Sequence, residues 1–321
     1  MTEVLNSSQF RKRHDGESIS FLGHVSFEER SLSVARSISP ANVKHSMALV
    51  TEGRMGRTEA NLEEFMRTLP GTDLRYVSTE PMPNSKGIRG AVDDLAKIAS
   101  GKVAILDVTA FRREELLVLL QATLDLDEAI TRQWRAVYVS ADTMGETLSS
   151  DVVDCRSVVG FAGAVRPSRP NRLVVLVGFE KDRAQAIIDA YEPDVLVLAF
   201  GDKEESISSD FAVKNRKLFR EFETLYGASG HFSFSPSDPL GAAEQLEAEL
   251  ASDKPYNTII APLNTKLSTI GAGLYALRNP EVQVCYAEVA YYHENGYSTP
   301  RDEFYVMPIR DWAAAVEGSG S

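Results

Sequence analysis

The sequence has little of what metal-binding and secreted proteins usually require. Its 321 residues contain only two cysteines, Cys155 and Cys285, which form no CxxC pair. A disulfide framework and a thiolate zinc site are therefore excluded as sequence signals, and a reducing compartment is expected. The five histidines are scattered, without the HExxH spacing of a zinc enzyme, so we expect no metal site.

Long apolar runs and nucleotide-binding glycine motifs are absent as well. No stretch approaches the roughly 20 apolar residues of a membrane helix. The polar N-terminus, with the basic run Arg11–Arg13, lacks the apolar core of a signal peptide. The sequence contains neither GxGxxG nor GxxxxGK[ST], so it has no dinucleotide fingerprint and no P-loop. We expect a cytoplasmic protein without a membrane partner or a bound cofactor.

Positive charge is also in short supply. Lys and Arg number 34 against 46 Asp and Glu, which gives a formal net charge of −12. A protein that binds long nucleic acids needs a broad basic surface, so a generalised nucleic-acid surface is not expected. A single local pocket for one small anionic ligand remains compatible with this charge balance.

What the sequence does contain is a repeated alternation of apolar runs and amphipathic stretches. The apolar runs are almost continuous, as in strands covered by helices on both faces. They lie at 19–23, 47–51, 74–78, 103–108, 136–140, 173–177, 195–200, 231–234, 258–261 and 282–286. Stretches with helical periodicity separate them, at 28–38, 59–69, 91–99, 114–124, 182–191, 212–226, 241–250 and 268–277. The order β-α-β-α-β-α-β-α-β therefore occurs twice.

This order predicts an α/β fold of two tandem Rossmann-like αβα domains with mainly parallel sheets. Residues 166–170 contain two prolines and no other apolar residue, which is typical of a linker. The Gly-Ser-Gly-Ser ending is typical of an appended flexible linker. The predicted parts are an N-terminal tail at 1–18, a first domain at 19–165, the linker, a second domain at 171–312 and a tail at 313–321.

The two halves also match inside one helix. Asn61 and Phe65 in the first half correspond to Asn215 and Phe219 in the second. Any two α/β domains share an alternation of strands and helices, so the order of elements alone does not show a common origin of the two halves. A matched polar and aromatic pair within a helix favours an internal duplication.

In parallel sheets, ligands bind beyond the carboxyl ends of the strands, where helix N-termini present unpaired N–H groups to anions. Arg30 and Arg183 follow the first strand of each half. The same two segments also suit the start of a helix, so both interpretations stay open. We take these two arginines as candidate ligand contacts.

Polar residues also follow the fourth strand of each half. Hydroxyl or amide groups with a nearby cation at the start of a helix are what a phosphate requires. The candidate ligand-binding residues are Thr109 and Arg112 in the first half and Asn264, Thr265, Lys266 and Ser268 in the second. Gly271 lies within the following helix, where glycine costs roughly 1 kcal/mol relative to alanine. Its presence indicates that something packs closely against that turn.

The last strand of the second half leads into a tyrosine-rich segment that contains Tyr291. Tyr291 could stack on a base as a ligand contact, or the segment could be a β-extension that covers the sheet. No catalytic constellation emerges from the motifs. Asp107 and Glu180, at the ends of strands, are candidates for a catalytic carboxylate.

Two of these strand-end elements resemble the CARF superfamily of nucleotide-sensing domains. The resemblance rests on Thr265-Lys266 with Gly271, and on Thr109 with Arg112. Two such units in one chain resemble the SAVED arrangement, which is similar to a covalent CARF dimer. The family's Gly-Gly-Thr-Lys element is not present, since Asn264 stands where a glycine would be.

The resemblance implies a sensor of prokaryotic antiviral defence that binds a small, cyclic oligonucleotide. With both halves assigned to sensing units, a separate effector protein would act on the signal. Two alternatives stay open. One is an enzyme on a nucleotide or nucleoside, such as a phosphodiesterase or N-glycosidase. The other is a non-catalytic subunit whose duplicated surface docks a partner protein.

Overall fold

The computed structural model describes residues 2–53, 56–251 and 255–318. The chain forms two compact units, and neither is continuous in sequence. Unit 1 consists of Met1–Leu148 and His293–Ala314, and unit 2 of Ser149–Tyr292 and Ala315–Ser321. Residues 319–321 of the predicted C-terminal tail lie outside the described residues.

The elements up to the end of the first series are β1 (Glu3–Leu5), α1 (Ser7–Arg13), β2 (Ile19–His24), α2 (Ser33–Ser37), β3 (Val43–Thr51), α3 (Arg57–Thr68), β4 (Asp73–Val77), α4 (Pro81–Ala99), β5 (Val103–Asp107), α5 (Arg113–Leu124), α6 (Glu128–Thr131) and β6 (Trp134–Met144). The second series follows as β7 (Ser149–Ser157), β8 (Asn171–Leu176), α7 (Lys181–Tyr191), β9 (Val195–Gly201), α8 (Ser209–Tyr226), β10 (Gly230–Phe234), α9 (Pro239–Leu250), β11 (Asn257–Pro262), α10 (Lys266–Arg278) and β12 (Gln283–Tyr292). The last elements are β13 (Ser298–Pro308) and α11 (Ile309–Glu317).

Each unit contains one mostly parallel sheet, so the predicted α/β fold with two Rossmann-like domains is confirmed. The order is β1-β13-β6-β5-β2-β3-β4 in unit 1 and β10-β9-β8-β11-β12-β7 in unit 2. Strands β2 to β6 pair in parallel, as do β8 to β12. In both sheets the first strand therefore lies between the second and the fourth, which is the Rossmann order.

Each sheet is extended by an antiparallel strand that comes from the other half of the chain. After β6 the chain passes into unit 2, where β7 pairs with β12. After β12 it returns to unit 1, where β13 pairs with β6. The two halves thus exchange one strand each. The boundaries between the units therefore lie at residues 148/149 and 292/293, and not near residues 165 and 171 as predicted.

The predicted N-terminal tail and linker are both ordered parts of a unit. Strand β1 pairs with β13, and Phe10 of α1 is fully buried with its ring 5.0 Å from that of Phe304. The predicted linker lies within unit 2, where Asn257 donates hydrogen bonds to the carbonyls of Arg166 and Arg169. Its prolines therefore mark an anchored turn, not a connection between domains. In the C-terminal tail, α11 continues to Glu317.

Both faces of the sheets are covered, which explains their continuous apolar strands. In unit 1, Phe21 of β2 packs in one core cluster with Phe65 of α3, while α4 contacts β2, β3 and β4. In unit 2, Leu173 and Leu198 share a cluster with Phe219 of α8, while α10 contacts β11 and β12. Because successive strand residues point to opposite faces, every position of such a strand is buried.

Candidate functional site

The carboxyl edge of each sheet brings together the loops that follow its first and fourth strands. Strand order reverses between these two strands, β2 and β5 in unit 1 and β8 and β11 in unit 2. Such a reversal leaves a crevice at which α/β proteins bind ligands. The two edges are described separately because they carry different side chains.

The carboxyl edge of unit 1 holds a buried group of ionisable and polar side chains around Glu115. Glu115 accepts hydrogen bonds from the Arg112 backbone N–H at 2.8 Å, from Arg112 Nε at 2.9 Å and from Asn84 at 3.2 Å. His24 Nε2 lies 3.9 Å from Glu115 Oε2 and 3.2 Å from the Thr51 hydroxyl. We refer to His24, Thr51, Asn84, Arg112 and Glu115 as the Glu115 cluster.

Glu115 stays charged although it is fully buried. Burial alone would raise the pKa of its carboxyl group. The charges of Arg112 and His24 and the hydrogen bonds from Arg112 outweigh that effect and lower the pKa to about 2. Arg112, a candidate ligand contact from the sequence, therefore balances this carboxylate at the start of α5.

Asp107 and Thr109 stabilise the turn after β5. The Thr109 backbone N–H donates to Asp107 at 3.0 Å, and the Thr109 hydroxyl accepts from the Val139 N–H at 3.0 Å. Both residues are buried. The Thr109 hydroxyl, predicted as a ligand contact, therefore connects the turn after β5 to β6. The Asp107 carboxylate, predicted as a catalytic candidate, accepts a hydrogen bond within the same turn.

The carboxyl edge of unit 2 presents amides and hydroxyls instead. Thr265 caps α10 by accepting the Ser268 N–H at 3.1 Å, and it donates to the Pro236 carbonyl at 2.5 Å. Asn264 donates to the Val177 carbonyl at 2.6 Å. These residues connect the loops after β8, β10 and β11, and Lys266 follows as the first, partly buried residue of α10.

A cleft lies against these residues. Its apolar wall consists of Phe179, Phe211 and Pro236, and its polar wall of Asn215, Asn264 and Thr265. The rings of Phe179 and Phe211 are 5.4 Å apart. The open volume is only about 10 Å³, room for about one water molecule. A larger ligand would enter only if the walls moved apart.

The close packing expected at Gly271 comes from a helix. A Cβ atom at Gly271 would lie 2.7 Å from Ala242 Cβ and 2.7 Å from the Pro239 carbonyl oxygen, both in α9. The glycine therefore lets α9 and α10 approach each other. It gives no sign of a ligand at this turn.

Arg30 belongs to a buried network in unit 1. Its guanidinium pairs with Glu28 and donates to Ser298 Oγ at 3.0 Å and to the Val139 carbonyl at 3.1 Å. The Ser298 hydroxyl donates to Glu28 at 3.0 Å, and the Tyr138 ring lies 5.9 Å from the guanidinium carbon. Only 5% of Arg30 is exposed.

Arg183 belongs to the equivalent network in unit 2. Its Nε lies 3.1 Å from Glu180, and its guanidinium carbon is 5.6 Å from the Tyr286 ring. The Ser149 hydroxyl donates to Glu180 at 2.7 Å. Glu180, a catalytic candidate from the sequence, is therefore the partner of a buried arginine.

The two networks match member by member, and we call each a Glu-Arg quartet. The quartets are Glu28, Arg30, Tyr138 and Ser298 in unit 1, and Glu180, Arg183, Tyr286 and Ser149 in unit 2. In both, the serine is the first residue of the exchanged strand, β13 or β7. In both quartets the glutamate, which follows the first strand, accepts a hydrogen bond from the first residue of the exchanged strand and pairs with the arginine proposed as a ligand contact.

The helix-internal asparagines that matched in sequence also match in their contacts. Asn61 donates to the carbonyl of Ser26 at 2.8 Å, and Asn215 to the carbonyl of Val177 at 2.5 Å. Both acceptors lie just after or at the end of the first strand of their sheet. The shared contacts and strand order favour the predicted duplication.

Tyr291 lies on β12, opposite Ser150 of β7, and 63% of it is exposed. Strand β12 continues to Tyr292, whose hydroxyl accepts from Arg183 at 3.1 Å. The tyrosine-rich segment is therefore a β-extension, as the second alternative from the sequence expected. The exposed Tyr291 ring remains able to meet a ligand.

Sequence reasoning missed most of the Glu115 cluster. A Glu three residues after a helix N-cap usually reaches back to the cap N–H, as Glu115 does to Arg112. That spacing was visible in the sequence. The burial of Glu115 and its approach to His24 depend on the pairing of β2 with β5, which no local pattern shows.

Within residues 2–53, 56–251 and 255–318, no group of three or more His, Cys, Asp or Glu side chains is placed to hold a metal ion. In the same described ranges, no helix has the length and apolar character needed to cross a membrane.

No family model and no curated protein matches the chain. Among solved structures, the chain is similar to a short-chain type dehydrogenase/reductase from Mycobacterium ulcerans, at 12% identity over 77% of this chain and 68% of that one, with a TM-score of 0.25. It is also similar to a C2-type ketoreductase from a modular polyketide synthase, at 14% identity over 87% and 70% of the two chains, with a TM-score of 0.18. Similarities this low carry no argument about activity.

Proposed function

We propose that the protein is a nucleotide-responsive sensor, in which the carboxyl edge of unit 2 binds a small anionic nucleotide and a separate protein responds. The observation that carries this proposal is the cleft beside the start of α10. It adjoins Asn264 and Thr265, which precede Lys266. A helix N-terminus followed by a cation favours a phosphate group.

The aromatic wall of the cleft supports a ligand with a base. Phe179 and Phe211 contact each other across the closed cleft, and a planar base could stack between rings of this kind. Binding would separate the loop after β8 from the start of α8. A ligand that prefers the open cleft would shift the population toward it, and that shift is the signal a partner could read.

The resemblance to CARF and SAVED proteins narrows this proposal. It makes a cyclic oligonucleotide the preferred ligand. It also suggests that the protein acts in the cytoplasm, in prokaryotic antiviral defence. The effector would be another protein. The resemblance rests on the segments after β5 and β11 and does not include Arg30 or Arg183, which are buried.

The test is thermal unfolding with mononucleotides, dinucleotides and cyclic oligonucleotides. We expect at least one of them to raise the Tm, because a ligand that binds only the folded chain stabilises it. The variant Lys266→Ala should lose that rise, while Lys217→Ala, an exposed lysine of α8, should keep it. An equal rise in the Lys266→Ala variant would refute the site.

A second candidate function, an enzyme acting on nucleotides or nucleosides, is supported by the Glu115 cluster. Ionisable groups buried at a strand-order reversal are typical of catalytic sites. Release of phosphate or of a free base from labelled nucleotides by the purified chain would test it. The activity should disappear in Asp107→Ala and in His24→Gln, and activity that survives both changes would exclude this edge as its source.

A further inference from the structure

The amino edge of the sheet in unit 2 has a second pocket, at the opposite end of the strands from the cleft. Strands β8 and β11 begin there and α10 ends there, at Arg278. The open volume is about 390 Å³, within the range of small-molecule sites. The residues that define this arginine pocket are Arg169, Arg172, Tyr256, Thr258, Arg278 and Asn279.

Arg172 is a partly buried cation with a fixed orientation. Its Nη2 donates to the Thr258 hydroxyl at 2.9 Å and to the Leu250 carbonyl at 3.0 Å, and its guanidinium carbon lies 4.8 Å from the Tyr256 ring centre. These partners are neutral. Burial lowers the pKa of Arg172. No carboxylate within the described residues forms an ion pair with it that would offset this effect.

Arg278 adds a second cation, and no carboxylate among the described residues forms an ion pair with it. Its Nε is buried and has no hydrogen-bond partner in the described part of the chain. Among the described lining residues, the single carboxylate is Glu281, which already pairs with Arg169 at 2.8 Å and with Arg166. Outside the lining, Glu247 accepts a hydrogen bond from Asn279 at 3.1 Å. The described lining contains three arginines and one carboxylate, so it carries a net positive charge in a chain whose net charge is −12.

A partly buried charge without a counter-ion is costly, and an anion that enters the pocket would remove that cost. Guanidinium groups offer paired N–H donors that match the oxygens of a phosphate. We propose that the arginine pocket binds the phosphate group of a small ligand. This site is separate from Lys266 and does not depend on nucleotide binding at the carboxyl edge.

The test uses the full chain with inorganic phosphate and with glycerol 3-phosphate, which has no base to occupy the cleft. At equal ionic strength, both should raise the Tm more than chloride does. Calorimetric titration should show affinity reduced about tenfold or more in Arg172→Gln and in Arg278→Gln, since each loses a charged hydrogen-bond donor. Tighter binding of glycerol 3-phosphate than of phosphate would assign the site to an organic phosphate.

Two controls keep the outcomes distinct. Arg220→Gln removes an exposed cation of α8 that lies outside the pocket lining, so it should bind phosphate as the wild type does. Lys266→Ala should also bind phosphate normally, even if it has lost nucleotide binding. Equal effects of phosphate and chloride on the wild type, or unchanged affinity in both pocket variants, would overturn the proposal.

Discussion

The carboxyl edges of the two units share a framework but differ in chemistry. Both have the same strand order, a Glu-Arg quartet that holds an exchanged strand, and a helix-internal asparagine bound to a strand-end carbonyl. After the fourth strand, unit 1 buries the charged Glu115 cluster, while unit 2 presents Asn264 and Thr265 beside a narrow cleft. The matched residues support the fold, and both proposed functions rest on the residues that differ.

The comparison first predicts that the two quartets are equally important for stability. Arg183→Ala leaves Glu180 buried without its cation, which should cost about 3–5 kcal/mol of unfolding free energy. Arg30→Ala should cost a similar amount in unit 1, because Glu28 is buried to the same degree. Urea unfolding of both variants measures this.

The exposed pair of Arg166 and Glu281 gives the matching control, since Arg166→Ala should cost less than about 1 kcal/mol. A loss below about 1 kcal/mol in either quartet variant would show that the quartets are not equivalent supports.

The second prediction concerns the charge that only unit 1 buries after its fourth strand. The pKa of Glu115 is about 2 in the folded chain, against an ordinary value of 4.5. Because the folded value is the lower one, the stabilisation is complete above about pH 4.5 and is lost as the pH falls toward 2. It is on the order of 3 kcal/mol.

Unfolding free energies measured between pH 6 and pH 2.5 check this, with Glu115→Gln beside the wild type. The variant should be less stable at pH 6 and should lose less stability on acidification. The equivalent helix position in unit 2 is Ser268, which does not titrate, so Ser268→Ala should leave the slope with pH unchanged. If the unfolding free energies of the wild type and of Glu115→Gln fell equally with pH, the claim that the charged Glu115 stabilises the fold would be wrong.

The smallest expected effect concerns helix packing. Gly271→Ala places a methyl group 2.7 Å from Ala242 Cβ and the Pro239 carbonyl oxygen, and this overpacking should cost about 1–3 kcal/mol. Gly90 in α4 has nothing within 4 Å of its Cβ position. Gly90→Ala should therefore stabilise unit 1, by up to about 1 kcal/mol. The Tm should fall in Gly271→Ala and rise in Gly90→Ala. A higher Tm in Gly271→Ala would mean that α9 moves away from the added methyl group at little cost.

Much of the candidate site was visible in the sequence, although the roles of its residues were not. The polar segments after β5 and β11 do lie at the carboxyl edges, as expected from parallel strands. Arg30 and Arg183 were expected to meet a ligand, but each is buried and pairs with its own glutamate. Arg30 also donates to Ser298 and Arg183 to Tyr292, both more than 100 residues away in sequence. Long-range partners of this kind leave no local pattern.

The sequence by itself determined the elements of both sheets. Ten mostly continuous apolar runs and the helical periods between them predicted β2 to β6 and β8 to β12. Burial on both faces imposes that pattern on the central strands β2, β5, β8 and β11. Only the tertiary structure decided where β7 and β13 pair. β7 is largely polar and lies at the edge of its sheet, while β13 is polar in its first half and apolar only from Phe304 to Met307. Neither sequence specifies a partner strand. Pairing between distant segments depends on which sheet has an unpaired edge strand beside them. Here β7 pairs with β12 and β13 with β6, which produces the exchanged strands.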